Sequence, residues 1–154
     1  MRRKDKEIVN YREIEEIMRQ AMICRISLVD GEYPYIVPVN FVVNDKNLYF
    51  HSSAEGKKIE ILRKNKNVCF EMDIQSEIVK GKSPCAWGMK YLSVVGFGRA
   101  FFIDNSDEKK RVLNMLVEKY AGEGDYIYQE EILQKVIVIG VIMEKITGKK
   151  SRIP

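Results

Sequence analysis

Tyr49–Arg63 reads YFHSSAEGKKIEILR, a short apolar strand that runs straight into a helix with two lysines in its first turns. The spacing predicts Ser52 or Ser53 as the helix N-cap, with Glu55 closing a capping box from Ser52. The first amides of such a helix have no intrahelical partner, and the helix dipole is positive there. The Lys57 and Lys58 ammoniums add charge at the same spot, and together these features suit a phosphate group. Gly56 marks a point where backbone can approach a ligand closely. A capped surface helix with solvated lysines would show much the same pattern. His51, the only histidine in the chain, sits just before the cap and shifts the reading toward a ligand site.

Outward from this junction, hydrophobic periodicity places the other elements. Asn10 with Glu13 reads as a capping box, and Ile14, Ile17, Met18 and Ala21 follow at helical spacing. Cys24, Ile26 and Leu28 alternate with polar residues as a strand, Asp30-Gly31 supplies a turn, and Tyr35–Val43 reads as a longer second strand. Asn44–Asn47 turns the chain into Leu48–His51. Val68–Met72, Ser93–Ile103 and Val136–Lys145 bring the count to about six strands. A third helix is expected with Ser106 as its cap, Val112, Leu113, Leu116, Val117 and Tyr120 on one face, and Gly122 at its end. About six antiparallel strands with three helices, lacking regular strand–helix alternation, predict a mainly β fold, a β-barrel with appended helices.

The glycines of GFGRAFF do not make a dinucleotide-binding loop, because a third glycine is absent and the segment lies inside a strand pattern. Gly96 and Gly98 read instead as bends or points of close approach. Pro38 interrupts the second strand, which calls for a sheet edge, a bulge, or a neighbour other than a strand. Ile74–Leu92 reads as a long turn-rich insertion holding the only tryptophan, Trp87, together with Tyr91, an aromatic pair that needs a core or a partner to cover it.

The ordered series VPVNF (37–41), LYFHSSAEGKKIE (48–60), NVCFEMD (67–73) and KYLSVVGFGRA (90–100) resembles the pyridoxamine 5'-phosphate oxidase-related split-barrel flavoproteins. Within them it is most similar to the nitroimidazole-resistance branch, over nearly the whole chain. The resemblance implies an FMN-binding split barrel, working as a homodimer whose flavin sites are shared between subunits. Carried over residue by residue, it implies cofactor contacts from Val39, Asn40 and Phe41 along the flavin, from His51, Ser52, Ser53, Gly56, Lys57 and Lys58 at the junction, and from Trp87 and Tyr91 of the partner subunit. His51 is also the candidate to face substrate. The activity implied is flavin-dependent reduction of a small molecule, with nitroaromatics among the candidates. The alternatives are a flavin-binding module without turnover, or the same barrel holding haem or a deazaflavin. The C-terminal EKITGKKSRIP lacks the arginine- and histidine-rich substrate motif of the true pyridoxamine phosphate oxidases, which puts vitamin B6 oxidation in doubt.

Composition narrows the remaining classes. A chain of 154 residues suits one domain, 1–154, burying roughly 70% of its unfolded surface without staples. Three cysteines without CxxC spacing suggest neither a zinc site nor a disulfide framework, and a lone histidine makes a metal centre unexpected. A net charge of +4, from 26 basic and 22 acidic residues intermixed, argues against a dedicated nucleic-acid binder. The N-terminal MRRKDKEIVNYREIEE has no apolar signal segment and no run approaches a membrane span, so a cytoplasmic protein is expected.

Overall fold

The computed structural model describes residues 3–153. Its elements in chain order are β1 (Glu7–Ile8), α1 (Tyr11–Gln20), β2 (Cys24–Asp30), β3 (Tyr33–Val39), β4 (Phe41–Asn44), β5 (Asn47–Ser53), α2 (Lys57–Lys64), β6 (Asn67–Val79), β7 (Gly88–Ile103), α3 (Ser106–Ala121), α4 (Glu130–Lys135) and β8 (Val136–Ser151). The strands form one sheet in the order β3-β2-β6-β7-β8-β5-β4, with β1 added to β8, and every pairing is antiparallel.

Eight strands therefore stand where about six are expected, and four α-helices where three are. The expected second strand is broken at Asn40 into β3 and β4, which end up at opposite ends of the strand order. One peptide step carries the chain from one edge of the sheet to the other, and the sheet curls into a split barrel. Pro34 and Pro38 sit on β3, whose sole partner among the described pairings is β2, so the missing N–H groups fall on an edge strand.

Two apolar clusters hold this arrangement. Phe41, Phe50, Phe70, Met72, Ile26 and Ile139 fill the barrel, closed by Ile14, Ile17 and Met18 of α1 and by Ile59 and Leu62 of α2. A second cluster lies outside β5 and β8, where Tyr49 and Val138 meet Val112, Leu113 and Leu116 of α3 and Leu133 of α4. Strand alternation explains the division, since Phe50 faces the interior while Tyr49 faces α3 and α4. Gly96 is required by close approach, because a side chain there would run into the Phe70 ring. Gly98 faces the Ile142 carbonyl just where the β7–β8 register shifts.

The helix caps correct three expectations. Asn10 caps α1 as read, but its side chain accepts from the Arg12 amide. Asn105, not Ser106, caps α3, accepting from the Glu108 amide, and Gly122 ends that helix as expected. Ser52 and Ser53 do not cap α2 at all. Both stay in β5, because β8 pairs with the chain as far as Ser53, and the cap falls on Gly56. The expected insertion Ile74–Leu92 is also largely strand. β6 runs on to Val79 and β7 begins at Gly88, giving a hairpin arm bulged at Gln75 and Ser76, with a short loop at its tip. Isolated turn residues hid a ladder that exists only through cross-strand pairing. α4 was missed because six residues are too few to show a helical period.

Candidate functional site

An opening in the barrel is defined by two unpaired strand edges. β3 pairs with β2 on one side alone, and β5 beyond Phe50 pairs with β8 but not with β4, which begins opposite at Phe41. The backbone of Tyr33–Val39 and of His51–Ser53 therefore keeps hydrogen-bonding capacity that no neighbouring strand takes up, next to Asn40, the residue that links the two edges. α2 starts at this opening. Its two lysines reach in different directions: Lys57 Nζ lies 5.3 Å from the ring centre of Tyr35 on β3, and Lys58 Nζ lies 5.6 Å from that of Phe50 on β5.

The start of α2 leaves backbone donors without a side-chain cap. Gly56 is the cap, and no side chain bonds the first amides of the helix. Its φ of 116° and ψ of 165° lie in a region that only glycine occupies readily. Ser53 supports the approach by donating its hydroxyl to the Glu55 carbonyl at 2.7 Å. The two ammoniums differ in state. Lys57 is exposed and paired with Asp30 Oδ2 at 2.8 Å, a bond that raises its pKa. Lys58 is half-buried, and burial lowers its pKa, so it is a charge in want of an anionic partner. His51 is open to solvent on one side, while the apolar wall around it and the nearby Lys58 charge lower its pKa and favour the neutral imidazole.

Other predicted residues take different positions. Val39 is buried opposite Cys24, leaving its backbone at the opening. Phe41 turns inward: its side chain is buried in the core, with Lys119 Nζ 3.5 Å above the ring. Its amide donates to Tyr120 Oη at 2.9 Å, and the Tyr120 hydroxyl is also 3.1 Å from the Phe41 carbonyl and 3.0 Å from that of Met22. Phe41 thus anchors the strand break, and Tyr120 is the residue that pins it. Sequence reading placed Tyr120 only on an apolar helix face, because an aromatic at helical spacing carries no sign of where its hydroxyl ends. Asp30 was likewise read only as a turn residue.

Trp87 and Tyr91 lie elsewhere. Trp87 is 49% exposed at the tip of the β6–β7 arm, with its indole N–H donating to the Gly81 carbonyl at 3.1 Å. Tyr91 is bonded by Lys149 Nζ at 2.8 Å, which lowers the phenol pKa. Tyr91 pairs with Ser151 on β8, whereas His51 pairs with Val138 on the same strand. That separates them by roughly 40 Å of strand path at about 3.3 Å per residue. The arm and the strand leading into α2 thus pair with opposite ends of β8.

On the outer side of β5, Asn40 and His51 border a second feature, a cleft of about 400 Å³ against α3 and α4, lined further by Leu116, Tyr120, Tyr128 and Ile132 among others. The Tyr128 hydroxyl is buried there without a hydrogen-bond partner among the described residues. No group of His, Cys, Asp and Glu side chains among the described residues has the arrangement of a metal centre. No described helix is long and apolar enough to cross a membrane.

Residues 10–150 match the model of the family described as Pyridoxamine 5'-phosphate oxidase. The fold is similar to that of a proposed 5-nitroimidazole antibiotic resistance protein from Bacteroides thetaiotaomicron, at 32% identity over 94% of this chain and 86% of that one, with a TM-score of 0.84. It is also similar in fold to the flavocytochrome Anf3 from Azotobacter vinelandii, at 16% identity over 100% of this chain and 73% of that one, TM-score 0.88. A FAD-binding protein from Mesorhizobium loti shares 20% identity over 93% of this chain and 96% of its own, TM-score 0.69. No curated protein matches the chain.

Proposed function

Because the chain belongs to the pyridoxamine 5'-phosphate oxidase family, we propose that it is an FMN-binding flavoprotein that reduces a small molecule, as a homodimer with shared flavin sites. The observation that carries this reading is the junction of β5 and α2: uncapped helix amides, a half-buried Lys58 without a carboxylate partner among the described residues, and two free strand edges beside them. A flavin phosphate suits the helix start, where uncapped backbone N–H groups and the positive end of the dipole lie beside the Lys58 ammonium, while Lys57 is held by Asp30. The polar rim of the isoalloxazine suits the open backbone of β3 and of His51–Ser53. When bound, the flavin supplies hydride and electron transfer, and the chain supplies binding, orientation and access. Lys58 and the α2 amides hold the phosphate, Asn40 and His51 line the ring side, and Tyr120 fixes the strand break that sets Asn40 in place.

The dimer is supported by surface that one chain leaves uncovered. Ile78, Trp87 and Met89 stand out on the arm, and Ile36, Val95 and Phe97 stand out on the outer face of the sheet. Since the arm lies far along β8 from the α2 start, an arm that walls a flavin does so on a second copy, and isologous pairing places each arm at the other subunit's site. The test is the purified protein itself. A yellow protein that releases FMN, identified by mass spectrometry, supports the reading. Release of FAD or haem, or no flavin after reconstitution, overturns it.

A further inference from the structure

We propose that the cleft between β5, α3 and α4 is a binding site for a neutral, flat, apolar molecule, and that it excludes phosphorylated or otherwise anionic ones. The lining residues include no Asp, Glu, Lys or Arg. At about 400 Å³ the cleft has the size of a small-molecule site, and such sites are typically apolar with a few orienting polar groups. Here those groups are the Asn40 amide, the His51 imidazole and the hydroxyl of Tyr128, which is buried and has no hydrogen-bond partner among the described residues. Ile132, 53% exposed at the wall, leaves apolar surface that a ligand would cover.

Charge sorts the ligands. Lys58 faces Phe50, on the barrel side of β5, whereas the cleft lies on the Tyr49 side with α3 and α4. Two lysines of α3 come near the walls but already have partners: Lys109 Nζ bonds the carbonyls of Leu133 and Val136, and Lys119 Nζ lies 3.5 Å over the Phe41 ring and 5.6 Å from the centre of the Tyr120 ring. With no charged side chain in the lining and both α3 lysines already engaged, a phosphate or carboxylate entering the cleft would lose hydration without gaining an unengaged counter-ion there, a penalty larger than apolar contact returns. His51 does not change this at neutral pH, since its surroundings favour the uncharged ring. Although the family carries the description of an enzyme for a phosphorylated amine, this cleft offers that phosphate no partner. Asn40 and His51 border the flavin opening as well, so a molecule in the cleft lies beside it. Its assignment as the substrate rests on the flavin reading; its binding does not.

The experiment follows the imidazole resonances of His51, the only histidine of the chain, by NMR. Indole is titrated as a neutral probe, with indole-3-acetate and pyridoxamine 5'-phosphate as anionic ones, on the protein as purified and after flavin removal. The expected result is a saturable shift with indole in both forms, with each anion at least tenfold weaker. Ala121→Trp at the exposed mouth of the cleft, and Ile132→Glu on its wall, should each weaken indole about tenfold or more while the far-ultraviolet circular dichroism stays unchanged. No saturable shift with indole, equal binding of an anion, or indole binding unaffected by both substitutions would overturn the proposal. Flavin content, read separately by absorbance, reports on the flavin reading alone.

Discussion

The start of α2 and the tip of the β6–β7 arm, both linked by resemblance to one flavin pocket, are built on opposite terms. The α2 start gathers its groups from fifteen consecutive residues and leaves donors without partners: uncapped amides, a half-buried ammonium and open strand edge. The arm satisfies its own polar groups. Trp87 bonds Gly81, Ser151 Oγ donates to the Met89 carbonyl at 3.0 Å, and Lys149 bonds Tyr91. What the arm leaves unsatisfied is apolar surface. On the proposed reading the first region meets an anion within its own chain, and the second meets another surface. If the contrast is sound, substitutions in the first should change cofactor affinity, and substitutions in the second should change assembly first.

The largest effect is expected from Lys58→Ala. Removing a charge-assisted bond to phosphate should cost about 1.5–3 kcal/mol, tenfold or more in FMN affinity by fluorescence titration. Lys57→Ala should cost less, because Lys57 already has Asp30 as a partner. Equal titrations for both variants and the wild type would return the pair to a solvated helix face.

Gly56→Ala forces a side chain into φ of 116°, and about 1–3 kcal/mol of backbone strain is expected as a lowered melting temperature together with weaker FMN binding. No side chain or backbone crowds a Cβ at that position, so the effect belongs to the dihedral alone. Retained stability and affinity would show that the helix start relaxes freely.

Trp87→Ala sharpens the other half of the contrast. It removes one exposed hydrogen bond, about 1 kcal/mol or less of chain stability. If the arm reaches a second copy, light scattering should nonetheless show weakened dimerisation and the flavin fluorescence should change. A monomer that keeps one tightly bound FMN would remove Trp87 and Tyr91 from the pocket.

Asp30→Asn should act in the reverse sense to the lysine variants. Asp30 occupies the Lys57 ammonium that a phosphate would use, and the pair is exposed to solvent and screened by salt. Releasing it should tighten FMN by about fivefold or less at low salt, an effect that fades at high salt. An unchanged or weaker affinity would show that Lys57 and the phosphate do not meet.

The smallest effect is in the pH dependence of folding. The His51 pKa is lowered from 6.5, so below that value the unfolded chain binds more protons than the folded one. Stability from this group is complete above about pH 6.5 and declines as pH falls below it. His51→Gln should flatten that part of the denaturation profile, and an unchanged slope would place the imidazole in ordinary solvent.

The sequence by itself determined whatever depends on near neighbours and periodicity. It marked the strand running into α2, the Lys57–Lys58 pair, the Asn10 cap and Gly122 stop, the alternation of β2, and the ordered motifs that carry the resemblance. These follow from residues a few positions apart, where chain connectivity already fixes the geometry. Only the tertiary structure decided that the chain breaks at Asn40 and crosses from one sheet edge to the other. It also kept Ser52 and Ser53 in β5 and moved the cap to Gly56. Both outcomes turn on which strand pairs with which, and pairing energy is shared between segments far apart in sequence: β5 is held to Ser53 by Val136, eighty-three residues later. The partnering of Lys57 with Asp30, the clamp of Tyr120 on Phe41 and the placing of Trp87 far along β8 from His51 share that cause. No local pattern records a distance between segments that come together only when the sheet closes.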